Sequence, residues 1–362
     1  ATGNNNTVIG YGAMNDSNGQ AAENNTFIGQ AAGAGGYSGA ASSNTAIGMM
    51  SFGGGAKTAA SINNVAVGRD SLYAVTTAAG NTAIGYQSGD SITTSGYNAL
   101  LGYQTGGGLA GGSGQNVAIG YQPLYYGTSN TRVIAIGSRA GYNSTADSNI
   151  YIGYSAGRES RAGVSQVYIG NQAGYYATGS YNTFVGDDAG KGGTTSAPFS
   201  TGGGNVAVGY RALDGFTTGE YNIAIGFNAL GSGTTATYNT AVGDHAAPSI
   251  TTGNSNVAIG RATLYSLTTG NNNVAVGKDA GQKVIGSDNV HIGQEAGEFA
   301  SGSYNTFVGS EAGYGGTTSA PFSSGENNTA LGYQALKAFT TATNMVAIGY
   351  EAMTDVTTGA DS

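Results

Sequence analysis

Short apolar triplets alternate along the chain with longer polar, glycine-rich stretches. Each triplet sits in a five-residue unit, Asn-x-Ala-Ile-Gly, whose closing glycine falls at Gly10, Gly29, Gly48 and onward to Gly349. There are 20 copies, spaced 16 to 23 residues apart and mostly 16 or 17. With the closing glycine as position zero, −1 is Ile, Val or Leu in all 20 copies and −4 is Asn in 17. Position −2 is Ala in 12 copies and elsewhere includes Phe27, Tyr151, Tyr168, Phe184, His291 and Phe307. Three apolar or β-branched residues are too few for a helix and predict one short strand per copy. A strand that recurs at a fixed period predicts an all-β protein, a β-solenoid of about 20 coils of 16–23 residues. The array covers residues 1–362 as a single continuous repeat domain, with longer loops at 191–204 and 314–327.

Each column of the repeat has a physical reading. A glycine closing every strand marks a corner with positive φ or a very close backbone approach. Asn at −4 predicts amides stacked from coil to coil, or an Asn in a left-handed turn. Alternation puts −1 and −3 on one face and −2 on the other. The larger residues at −1 and −3 are expected to form the core. The −2 face is then expected to be covered by a second sheet or a partner chain, which predicts a parallel homotrimeric fibre. At ~4.8 Å per coil, 20 coils would make a rod on the order of 90 Å long. Positions −4 to −1 hold no Asp, Glu, Lys or Arg, whereas +1 and +2 hold 13 of the 32 charged residues, so the chain just past the glycine is expected to face water.

Composition narrows the classes. The 66 Gly would suit a flexible tether, but the period assigns many of them to fixed corners. A formal charge of −8 with only 12 basic residues argues against nucleic-acid binding. No apolar run is long enough to insert in a membrane as a helix. The absence of Cys excludes thiol catalysis and disulfides. Beginning at Ala1 without Met or a signal peptide, the chain reads as processed or as a piece of a longer one.

The units Asn81-Thr82-Ala83-Ile84-Gly85-Tyr86-Gln87 and Asn256-Val257-Ala258-Ile259-Gly260 resemble the β-roll repeats of trimeric autotransporter adhesin heads. Stretches such as Asn328-Thr329-Ala330-Leu331-Gly332-Tyr333-Gln334-Ala335-Leu336 resemble bacteriophage tail-fibre repeats still more closely. The resemblance implies a trimeric left-handed β-roll in an extracellular or virion appendage that contacts a host or cell surface. The coils here are longer than those of autotransporter heads.

The candidate chemistry is sparse. Tyr occupies +1 in eight copies: Tyr11, Tyr86, Tyr103, Tyr121, Tyr154, Tyr210, Tyr333 and Tyr350. Such rows suit either ring contacts between coils or stacking on sugars. Two inserts, 192–200 and 315–323, are identical and present Phe199 and Phe322. They read as a block duplication or as paired ligand loops. A carbohydrate-binding adhesin using the Tyr rows and these Phe loops is the alternative to a structural fibre, with a cell-surface glycan or receptor as partner. Catalysis would need converging carboxylates, and only Asp187-Asp188 and Asp244 beside His245 offer any. No enzyme activity, cofactor or metal site is expected.

Overall fold

The computed structural model describes residues 3–15, 19–111, 114–128, 130–193, 199–316 and 322–359. The chain divides into two compact units, residues 1–181 and 182–362. The first holds strands β1 (Thr7–Ile9) to β10 (Val167–Ile169), and the second β11 (Thr183–Val185) to β20 (Val346–Ile348). All 20 strands are parallel members of a β-solenoid, one per coil, and the described residues contain no helix. Within each unit every strand pairs with the next in register, as in Val206↔Ile223, Ala207↔Ala224 and Val208↔Ile225.

The turn after each strand explains the repeat. The closing glycines have φ between +124° and +139°, outside what an L-residue adopts. A Cβ at Gly85 would also lie 2.0 Å from the carbonyl oxygen of Gly102 in the next coil. Both reasons expected from the sequence therefore operate. Positions +2 and +4 are left-handed in every coil, from Gly12 and Met14 to Glu351 and Met353.

The Asn column forms an amide ladder. Asn239 Oδ1 accepts from the backbone N–H and the Nδ2 of Asn256, at 2.9 and 3.0 Å. Asn256 in turn accepts from Asn273, and its Nδ2 donates to the Gly270 carbonyl at 2.9 Å. Stacking thus satisfies buried backbone groups that no strand pairing reaches. The left-handed position expected of Asn lies one residue earlier, at −5, where Ser255 has φ +58° and Asn272 +56°.

The sidedness of the strand is the reverse of the sequence expectation. Position −2 faces the interior: Ala46, Tyr151, Phe184, Ala224 and Phe307 are wholly buried. Positions −1 and −3 face outward, with Ile84 39%, Leu101 48% and Ile348 65% exposed. A coil this short encloses a narrow interior, which admits Ala at −2 and leaves the bulkier β-branched residues outside.

Positions −2 and +4 share interior space, which is filled from either side. Where −2 is aromatic, as at Phe27, Tyr151, Tyr168, Phe184 and Phe307, position +4 of the same coil is Gly. A Cβ at Gly33, Gly157, Gly174, Gly190 or Gly313 would fall 2.3–2.6 Å from the corresponding ring. Where −2 is Ala, +4 usually carries the bulk instead, as at Leu72, Leu213, Leu230, Leu264 and Leu336, all buried. The remaining glycines, such as Gly89 and Gly141, sit against large side chains from neighbouring coils, Leu100 and Tyr151. Close packing of the interior is what the Gly-or-Leu alternation at +4 serves, together with buried +7 residues such as Ile92, Phe216 and Phe339.

Candidate functional surfaces

Three surfaces follow from this geometry. The first is the outward stripe of −1 and −3 residues. Ile47, Ile84 and Leu101 in one unit, and Ile223, Ile225 and Ile259 in the other, are uncharged, large and exposed. The column carries Thr at −3 in eight coils and is half-buried in many, but it is uncharged throughout, and an uncharged column of this length marks a contact face.

The second is the Tyr row at +1, exposed in all eight copies. Tyr86, Tyr103 and Tyr121 stack with centroids 5.2 and 5.3 Å apart and ring planes 17° and 9° from parallel. Tyr333 and Tyr350 stack at 5.3 Å, and Tyr210 stacks on Phe227 at 5.2 Å. Arg69 covers the end of the first run, 5.9 Å from the Tyr86 centroid. Within each run the ring faces meet one another. Tyr11 and Tyr154 have no aromatic residue at +1 in an adjacent coil. Beneath the row, Gln87, Gln104 and Gln122 form their own ladder at +2, with amide bonds of 2.8 and 2.7 Å.

The third comprises the inserts. Phe199 and Phe322 are half-buried. Phe322 packs against Phe299, with centroids 6.1 Å apart, and Lys283 Nζ lies 6.0 Å from its ring. The inserts end on matching anchors: Ser200 donates to the Phe216 carbonyl and Ser323 to that of Phe339, each at 2.8 Å. Residues 194–198 and 317–321, the middle of each proposed loop, lie outside the described residues.

The titratable groups pair locally on the surface, as where Lys278 Nζ lies 3.1 Å from Asp279 and 3.6 Å from Glu295. Asp244 and His245 meet at 2.8 Å on the surface, and Asp188 pairs with Lys191 at 3.0 Å. His291 is buried in the −2 column, stacked on Phe307 at 5.1 Å, with no hydrogen bond to either ring nitrogen. Burial lowers its pKa to about 3, so it is neutral in the folded state. Lys57 is buried too and donates to the carbonyls of Ala34 and Gly55 at 2.7 and 2.8 Å, while burial lowers its pKa to about 7. Among the described residues no group of three or more His, Asp or Glu is placed to hold a metal ion, and no helix is long and apolar enough to cross a membrane.

Two features escaped the sequence reading. A second exposed Tyr row lies at −5, where Tyr221 and Tyr238 stack at 5.3 Å. A column of aromatic and charged side chains also runs along +5, and its register was visible in the repeat. No protein-family model and no curated protein matches the chain.

Proposed function

We propose that the chain is a structural fibre protein of a phage tail fibre or comparable surface appendage, extracellular or on a virion, that associates with copies of itself as a parallel homotrimer. The observation that carries this reading is the uncharged −1/−3 stripe, which stays exposed or half-exposed although the coil interior is already filled. A surface repeated at every coil is matched over its length by a partner with the same repeat, and another copy of this chain has it. Burying such a column adds hydrophobic stabilisation at roughly 25 cal/mol per Å² removed from water. The β-solenoid fold suits a structural role of this kind, in which the number of coils sets length. Contact with a host or cell surface would then belong to loops and side chains off the stripe. Light scattering on the folded protein tests the association: a mass near three times the 35.8 kDa chain is expected, and a monomeric mass at micromolar concentration overturns it.

A further inference from the structure

The +5 column of the first unit is a stack with one rung missing. Asp90, Gly107, Tyr125, Tyr142, Arg158 and Tyr175 occupy that position in six successive coils. Tyr125 stacks on Tyr142 with centroids 5.6 Å apart and planes 15° from parallel. Arg158 then fills the rung between Tyr142 and Tyr175, its Cζ 5.5 and 5.3 Å from the two ring centroids. In the other direction Gly107 offers no side chain: the Tyr125 ring leans over it, with Cδ2 3.1 Å from where a Cβ would stand, and the space beside the two residues is open toward Asp90. The result is a notch of about 200 Å³ between Tyr125 and Tyr126 on one side and Asp90 and Ser91 on the other, floored by Gly107 and Gly108.

The notch is acidic. Asp90 is half-buried and forms no ion pair among the described residues; its side-chain partner is Ser91 Oγ, at 3.4 Å. Burial, with Asp70 nearby, holds its carboxyl above the usual range. Elsewhere the chain completes comparable aromatic and carboxylate pairs with its own cations. Arg69 lies 3.2 Å from Asp70 and 5.9 Å from the Tyr86 centroid. Lys337 lies 2.6 Å from Glu311 and 5.9 Å from the Tyr314 centroid.

We propose that this notch binds a guanidinium group, an arginine side chain presented by a partner polypeptide. The planar cation would take the missing rung beside Gly107, stacking on the Asp90-facing side of Tyr125 as Arg158 stacks on Tyr142, and its N–H groups would donate to the Asp90 carboxylate. A lysine ammonium is compact and strongly hydrated and matches the flat slot less well. A neutral sugar ring could lie on Tyr125 but would leave the Asp90 charge uncompensated. The site lies in the +5 column, off the −1/−3 stripe, so it stands for a monomer or a trimer alike.

The test is a titration of the full chain with N-acetyl-arginine methylamide, read by calorimetry and by the ring shifts of Tyr125, with the lysine analogue and methyl glucoside in parallel. The arginine probe is expected to bind with a dissociation constant on the order of 1 mM. The lysine analogue should bind about tenfold more weakly. Asp90→Asn should weaken arginine binding by about tenfold or more, because the charge-assisted bonds are lost. Gly107→Tyr, at a position without positive φ, places a Cβ 3.1 Å from Tyr125 Cδ2, so that ring must shift by a few tenths of an ångström; the variant supplies the rung from within and should abolish binding. Should Gly107→Tyr fail to fold, the near-isosteric Asp90→Asn decides alone. Equal binding of arginine to wild type and Asp90→Asn, no binding of arginine at all, or binding of the glucoside in its place would each overturn the proposal.

Discussion

Gly313 lies beneath the ring of Phe307: a Cβ added to this glycine would stand 2.4 Å from Phe307 Cδ2. The two residues share one interior space, which Ala330 and Leu336 fill from the opposite side in the next coil. Phe307→Ala should therefore cost about 3–5 kcal/mol, as for a large-to-small change in a packed core. Gly313→Leu alone should also destabilise, by overpacking. The backbone at Gly313 has φ +55°, close to the +53° of Leu336, so the conformation itself accepts Leu. The double variant Phe307→Ala/Gly313→Leu reproduces the Ala-and-Leu arrangement and should recover much of the loss. Urea unfolding of the four proteins measures the coupling, and simple additivity of the two losses would refute the shared-space account.

His291 gives the fold a pH dependence. Its folded pKa, about 3, lies below the ~6.5 of an unfolded chain because burial disfavours the imidazolium. Below pH ~6.5 the unfolded state binds a proton that the folded state does not, so this contribution is fully present above that pH and is lost progressively toward pH 3. Relative to His291→Phe, the wild-type protein should lose stability on acidification by up to about 1.4 kcal/mol per pH unit. Unfolding midpoints of both proteins from pH 7.5 to 4 provide the check. Parallel curves would show that His291 is solvated.

The amide ladder should be sensitive to single deletions. Asn256→Ala removes the acceptor for the Asn273 N–H and the donor to the Gly270 carbonyl, leaving buried groups without partners. Each unsatisfied buried group costs about 1–3 kcal/mol, so a total of several kcal/mol is expected in chemical denaturation. Asn15→Ala is the control, because Asn15 is exposed and lies outside the −4 column. A loss no larger than the control's would mean that water replaces the ladder.

The outward stripe separates folding from association. Ile259→Asp places a charge at an exposed −1 position, 40% accessible, and should leave the unfolding midpoint of the isolated chain within about 0.5 kcal/mol. In a homotrimer the same charge would be buried and unpaired, at a cost of several kcal/mol per copy. The expected outcome is folded protein of monomeric mass. Unfolding of the monomer would instead place Ile259 in the coil's own core.

Much of this molecule can be read from the chain itself. The spacing of Gly10 through Gly349 sets one strand per coil, because only glycine tolerates the φ and the backbone contact at that corner. The run of Asn at −4 already announces a ladder, since a buried amide needs the same partner at every level. Which face of the strand turns inward was not legible. Ile at −1 and Ala at −2 are both apolar, so the pattern has no polar side to orient it, and size alone suggests that Ile is the core residue. The closed coil decides otherwise: its interior takes the −2 side chain and whatever bulk +4 and +7 supply, such as Ile92, and Ile84 is left outside while Ala83 is buried. The notch between Asp90 and Tyr125 was equally hidden, because the two residues lie 35 positions apart and meet only when coils stack with Gly107 between them. Periodicity is a property of the chain, whereas sidedness and adjacency depend on the width of the space that the folded coils enclose.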